Sequence, residues 1–244
     1  MALLEVNGIS KAFGGLQAVK DLSFTLEPGE ILGIIGPNGA GKTTAFNMIA
    51  GYFPPDAGTI HFKGEDITGQ RPWEVSHRKI ARTFQLSKPF GDLTVLENAM
   101  VGGFHHQGSR AAARKKAEEV LAFIGMSDQA YVEAHNLTAT DRKRLEVARC
   151  LATDPELMLL DEVVAGATPT EATAMMELIH KIRDSGVTII MVEHVMRVIM
   201  GLSHRVLVLH HGETIAMGKP EVVSKDPAVL TAYLGERHGQ PANQ

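Results

Sequence analysis

Eight consecutive residues, Gly36-Pro37-Asn38-Gly39-Ala40-Gly41-Lys42-Thr43, have the spacing G-x-x-x-x-G-K-[ST]. Those residue types in that order capture phosphate. Glycines let the backbone curl closely round an anion with its N–H groups turned inward. A helix beginning at Lys42 adds the positive end of its dipole. The Lys42 ammonium can reach β- and γ-phosphates, and the Thr43 hydroxyl, with Thr44 beside it, can face a phosphate-bound Mg²⁺. A second pair, Asp161-Glu162, closes the apolar run Leu157–Leu160. Carboxylates at the C-terminal end of a buried strand lie where α/β sheets bind ligands. Asp161 suits Mg²⁺ through water, and Glu162 suits the general base that polarises an attacking water.

Placing these groups requires buried strands that end in loops. Apolar stretches at Leu3–Val6, Leu22–Leu26, Ile31–Ile35, Leu157–Leu160, Val187–Val192 and Val206–Leu209 predict strands. Several are unbroken apolar runs, the pattern of strands covered on both faces. Lys42–Ala50 and Thr170–Arg183 predict covering helices, so short strands alternate with helices in the α/β manner. Between about 69 and 138 the pattern turns mostly helical. Arg110–Ile124 places Ala113, Ala117, Val120, Leu121 and Ile124 on one face. The expectation is one α/β unit over 1–244, a helical lobe inserted at roughly 86–152 and a helical tail at roughly 219–236.

Composition excludes several classes. The 24 Lys and Arg against 28 Asp and Glu leave a net charge of −4, which argues against a nucleic-acid binder that relies on a large basic face. The single Cys150 excludes an intrachain disulfide and a cysteine-rich metal site. No apolar run approaches the ~20 residues of a membrane helix, and the N-terminus lacks the order of a signal peptide. A soluble, reducing, intracellular setting is the expectation. The pairs His105-His106 and His210-His211 are adjacent in sequence, so their side chains are expected to point apart in loops or at strand ends rather than share a metal.

At this point the sequence resembles the ATP-binding subunits of ABC transporters, which are P-loop NTPases with a parallel-sheet core, an N-terminal antiparallel β portion and an inserted α-helical lobe. The resemblance implies ATP and Mg²⁺ as ligands, with Mg²⁺ at Thr43, Gln85 and Asp161, partly through water. It implies that Phe13 stacks on adenine, that Gln85 in Arg82-Thr83-Phe84-Gln85 forms the Q-loop facing the permease, and that Ala165–Pro169 is the D-loop. It makes His194 the switch histidine at the γ-phosphate. Leu137-Thr138-Ala139-Thr140-Asp141 takes the place of the signature loop, which serves the partner's nucleotide. Gly15–Val19, Ile80–Met100, Gly218–Val222 and Ala232–Glu236 look like the branched-chain amino-acid uptake subfamily. That resemblance implies a second, identical or related ATPase subunit, two permease subunits and, indirectly, a periplasmic solute-binding protein. It places the chain at the cytoplasmic face of a prokaryotic membrane as a peripheral subunit, with no nucleic-acid partner.

The sequence departs from the family pattern in one region. The usual signature is close to LSGGQ; here Thr140 replaces a glycine and Asp141 a glutamine, while Thr138 keeps a hydroxyl. A side chain at 140 restricts close backbone approach, and a carboxylate near phosphate costs free energy unless paired. Arg142–Arg144 can supply that pairing, and Asp141 equally suits the first turn of a helix. Val163 stands where the family has Pro, and Thr168 where it has Asp or Asn. The reading is an ATPase that powers solute uptake. Its rivals are a subunit for lipid or lipopolysaccharide export, a soluble ABC ATPase outside transport, and a non-hydrolysing nucleotide switch. The intact Glu162 opposes the last.

Overall fold

The computed structural model describes residues 2–84, 89–104 and 108–238, the side chains as far as Tyr233. The chain opens with two long strands, β1 (Leu4–Phe13) and β2 (Leu16–Leu26), then β3 (Ile31–Ile35), α1 (Lys42–Ile49), β4 (Ala57–Phe62) and β5 (Glu65–Asp66). Next come α2 (Pro72–His77), β6 (Ile80–Arg82), α3 (Val95–Gly103), α4 (Arg110–Ile124) and α5 (Ala139–Ala152). The remainder is β7 (Leu157–Asp161), α6 (Pro169–Asp184), β8 (Thr188–Val192), α7 (Met196–Leu202), β9 (Arg205–His210), β10 (Glu213–Gly218), α8 (Pro220–Val223) and α9 (Pro227–His238).

Among the described residues the strands form two sheets. An antiparallel sheet runs β2-β1-β4-β5, and a six-stranded sheet runs β10-β9-β3-β8-β7-β6. Within the second, β3 pairs parallel with β8 and β9, and β7 pairs parallel with β6 and β8; only β10 runs antiparallel. The unbroken apolar runs follow from this position. Ile31, Met158, Ile189 and Val206 face a core shared with α3–α7, while Leu32, Leu159, Ile190 and Leu207 face a core shared with α1 and the antiparallel sheet. Side chains alternate between faces at period two, and both faces are buried.

The helices begin and end where local chemistry allows. Thr94 accepts from the Glu97 N–H while the Glu97 carboxylate accepts from the Thr94 N–H, a reciprocal cap on α3. Ser109 caps α4, which Gly125 ends in the left-handed conformation. Thr168 and Glu171 repeat the reciprocal cap on α6, with Pro169 at its first position. The apolar face expected for Arg110–Ile124 is the buried face of α4.

Several elements differ from expectation. β1 and β2 extend well beyond the predicted Leu3–Val6 and Leu22–Leu26, because they continue as a hairpin that pairs Phe13 with Leu16 round Gly14-Gly15. Its far end is solvated, so no apolar alternation marks it. β4, β5, β6 and β10 were not expected: β5 has two residues and β6 three, and β4 and β10 are mostly half-buried or exposed.

Two loop glycines differ in what surrounds them. A Cβ on Gly36 (φ 152°) would lie 2.1 Å from the Leu209 carbonyl oxygen, whereas one on Gly39 (φ 79°) meets nothing within 4 Å. Gly36→Ala therefore combines overlap with backbone strain and should lower stability by about 2 kcal/mol or more, while Gly39→Ala should lose only about 1 kcal/mol. Denaturant titration of the two variants tests this; equal losses would show that the loop gives way at residue 36.

Candidate functional site: a phosphate-loop cleft

The buried strand β3 delivers residues 36–41 to the edge of the sheet, and α1 begins immediately after Gly41 (φ 100°). Lys42 is buried, and its Nζ donates to the carbonyls of Gly36 (2.6 Å) and Pro37 (2.8 Å), which pins the ammonium inside the curl of the loop. The loop is stitched to its neighbours: the Gly212 N–H donates to the Ala40 carbonyl at 3.1 Å. Thr43 is exposed, Thr44 half-buried, and Asn38 and Gly39 are open to solvent.

A cleft of about 440 Å³ is lined by this loop together with Phe13, Glu162, His194 and His211. Phe13 stands at the end of β1, 45% exposed, edge-on to Phe53 with ring centroids 5.4 Å apart. Across the cleft, Glu162 Oε1 and His194 Nε2 lie 2.8 Å apart. Glu162 has a positive φ of 51°, a left-handed backbone that costs on the order of 1 kcal/mol and persists only where its surroundings hold it. Its N–H donates to the Val192 carbonyl (2.9 Å), fixing the turn to β8.

Asp161, the last residue of β7, is only 4% exposed. Its N–H donates to Thr83 Oγ1 at 2.9 Å, and Arg82 Nη2 donates to its Oδ2 at 3.2 Å. Burial raises its carboxyl pKa, and the Arg82 guanidinium works against that rise. Arg82 also bonds Asn47 and lies over the rings of Phe46, Tyr52 and Phe84 at 5.4–5.7 Å. A threonine hydroxyl and a carboxylate are the hard oxygen donors that Mg²⁺ takes alongside phosphates, so Thr43 and Asp161 fit that ion. Gln85, the third expected ligand, lies outside the described residues, as do His105 and His106.

Leu137, Thr138, Ala139, Thr140 and Asp141 are not among the residues lining this cleft. Thr138, Thr140 and Asp141 line a separate cleft of about 580 Å³ against α6. Thr138 caps α5: its Oγ1 accepts from the Asp141 N–H (3.1 Å) and donates to Asp141 Oδ2 (2.8 Å). Arg144 stands 3.5 Å from the other Asp141 oxygen, and Thr140 donates to Glu171 at 2.8 Å. The substituted residues are thus paired within the chain.

Sequence reasoning missed three groups here. Lys143 donates to the carbonyls of Glu162 (2.9 Å) and Ala165 (2.5 Å). Glu193, 2% exposed, accepts from the Val164 N–H at 2.8 Å, and its second oxygen is buried without a hydrogen-bond partner. Burial raises its pKa to about 7. A carboxylate closing the apolar strand Val187–Val192 was the available signal for it; no spacing rule points to Lys143. His211, the third, has a left-handed backbone (φ 47°) in the β9–β10 turn, and this brings its ring to 4.1 Å from that of His210. The expectation that these two rings point apart is therefore wrong, although both do lie at a strand end and turn. Among the described residues no cluster of three or more potential ligands accompanies them.

Comparison with known proteins agrees with this geometry. A family model described as ABC transporter matches residues 19–165, and one described as branched-chain amino acid ATP-binding cassette transporter matches residues 213–239. The chain is 38% identical over 252 residues to the high-affinity branched-chain amino acid transport ATP-binding protein LivG of Escherichia coli strain K12, covering 96% of this chain and 98% of the relative. It superposes on a nucleotide-free ATP-binding cassette from an ABC transporter with a TM-score of 0.88, at 30% identity over 96% of this chain and 99% of that one. It is also similar to a bacterial ABC transporter cassette solved as a dimer, with a TM-score of 0.80 and 25% identity over 89% of this chain and 98% of that one. The chain belongs to the ABC transporter family, whose ATP-binding subunits are ATPases coupled to transport. Among the described residues no helix is long and apolar enough to cross a membrane.

The raised Glu193 carboxyl has a consequence for stability. Between the ordinary carboxylate pKa and about 7 the folded chain holds a proton that the unfolded chain releases. Stability should therefore fall as pH rises through that window, by up to roughly 3 kcal/mol, and level off above it. Glu193→Gln should flatten that slope in denaturation curves between pH 5 and 8; an unchanged slope would assign the titration elsewhere.

Proposed function

We propose that this ABC ATPase, acting as one cassette over residues 1–244, drives uptake of branched-chain amino acids or of related amino acids, amides or acids. The observation that carries the catalytic part is the single cleft into which Lys42, Thr43, Glu162 and His194 converge. The solute class rests on the likeness to LivG and on the C-terminal match at 213–239, which also favours uptake over lipid export.

The mechanism follows from the chain's own groups. Backbone N–H groups of 36–43 and the Lys42 ammonium bind the β- and γ-phosphates of ATP, while Phe13 offers its face to adenine. Mg²⁺ neutralises phosphate charge when bound, and Thr43, Asp161 through water, and Gln85 would hold it. Glu162 accepts the proton of the attacking water as its oxygen bonds to the γ-phosphorus. The bond from that phosphorus to the β–γ bridging oxygen breaks, releasing ADP and phosphate. His194 orients the Glu162 carboxylate through their 2.8 Å contact and stands beside the transferring group. Two cassettes, identical or related, close head to tail so that the loop 137–141 of each meets the other's nucleotide. Two permease subunits receive the stroke near Gln85, and a periplasmic binding protein supplies the solute. The chain then sits at the cytoplasmic face as a peripheral subunit.

Lys42→Ala should weaken ATP binding roughly 10–150-fold, the value of one charge-assisted contact. Glu162→Gln should leave ATP binding intact and lower phosphate release by about 10²–10⁴-fold in the assembled transporter. Calorimetric titration and a phosphate-release assay check the two; near-normal turnover in Glu162→Gln would remove Glu162 as the base.

The pairing of Asp141 and Thr140 within the chain bears on the second nucleotide site. In a complex with a partner that carries an ordinary signature, the site built from Lys42 and Glu162 should do most of the hydrolysis. Losing one preorganised donor can cost ~3–4 kcal/mol at the transition state. Separate Glu-to-Gln changes in each subunit should then lower turnover unequally, and equal effects would show that Thr138–Asp141 work as well as the common loop.

A further inference from the structure

We propose that Lys143 is a positioning residue for Glu162, holding the general base in its strained backbone conformation from the helix that carries the 137–141 loop. The proposal rests on Glu162 being the base. Glu162 and Ala165 close a turn in which the Ala165 N–H donates to the Glu162 carbonyl at 3.3 Å. The Lys143 ammonium donates to both carbonyls of that turn, Glu162 at 2.9 Å and Ala165 at 2.5 Å. Elsewhere in the turn the Val164 N–H donates to the buried Glu193 carboxylate at 2.8 Å. Two elements therefore hold this turn: a cation from α5 on its carbonyls and an acceptor from the end of β8 on its amide.

That arrangement accounts for the backbone of Glu162. A left-handed non-glycine residue relaxes unless its peptide groups are engaged. Here the N–H of Glu162 is taken by Val192 and its carbonyl by Lys143. The side chain is thereby directed to His194, 2.8 Å away. Lys143 lies on the first turns of α5, five residues after Thr138, so its ammonium stays fixed relative to the loop 138–141. A shift of α5 along its axis is transmitted directly to the carbonyl of Glu162. Lys143 itself touches no reacting atom.

The test compares Lys143→Met, Lys143→Gln and Lys143→Arg in the chain purified with its membrane subunits, with Glu162→Gln as reference. Small displacements of a catalytic group can cost on the order of 10²-fold in rate. Lys143→Met should lower kcat for ATP by about tenfold or more with KM changed less than about twofold. Lys143→Arg, which keeps donors for both carbonyls, should recover most of the loss, and Lys143→Gln, with its shorter donor, should fall between. Adding Lys143→Met to Glu162→Gln should lower turnover no further, because residues acting as one unit are non-additive. Unchanged kcat in Lys143→Met, or KM rising in step with the fall in kcat, overturns the proposal. If Lys143→Met does not assemble, the Arg and Gln variants decide: equal kcat in both at wild-type level, or loss in both without rescue by Arg, overturns it. Normal turnover in Glu162→Gln would instead refute the base assignment and is read independently of the Lys143 variants.

Discussion

The meeting of Lys42, Glu162 and His194 at the cleft depends on three parallel strands, β3, β8 and β7, lying side by side with both faces buried. Ile34 pairs with Val192, and Val192 pairs with Asp161, so the strands end level with one another. The segments that leave them, 36–44, 193–195 and 161–166, therefore emerge at one edge of the sheet. Parallel order makes this possible, because each strand needs a crossover and the crossovers place helices on both faces. The cleft is thus a consequence of register. Chain segments more than a hundred residues apart meet because hydrogen-bonded ladders leave them no other place to go.

Burying charge at that edge requires compensation, and the chain supplies it from neighbouring elements. Asp161 has Arg82, whose guanidinium is itself seated among three aromatic rings and bonded to Asn47. Lys42 has two carbonyls of its own loop. Glu193 accepts from the Val164 N–H, and burial pushes its carboxyl up to about 7. Burial raises the pKa of both carboxyls, and at Asp161 the Arg82 guanidinium works against the rise. Asp161 faces a guanidinium, and Glu193 faces a backbone amide.

The altered loop before α5 has a local explanation. Thr138 and Asp141 form a helix cap of the ordinary kind, Arg144 stands one turn on to balance the carboxylate, and Thr140 bonds Glu171 on α6. The substitutions are compatible with the fold because each side chain finds its partner inside the chain. The Thr138 hydroxyl is occupied in capping the helix.

Local spacing was enough to read the phosphate loop, the acidic pair after an apolar strand, the strands buried on both faces and the amphipathic face of α4. Each of these is a short-range pattern: a loop that must curl, a strand with no solvated side, a helix with one. The short strands β5 and β6, the strand β4 and the edge strand β10 were not legible, because they exist through their neighbours rather than through their own periodicity. The same holds for Lys143 and Glu193. One is a lysine in a polar helix start and the other a glutamate beside a histidine, ordinary in sequence. Only the packing of α5 against the turn after β7 sets Lys143 on the carbonyl of Glu162, and only the burial of the end of β8 sets Glu193 on the amide of Val164. The amino-acid order determined the glycine-rich loop, its Lys42 and the carboxylates that follow an apolar strand. The tertiary structure decided which groups hold them in place, because those contacts join residues that no local pattern relates.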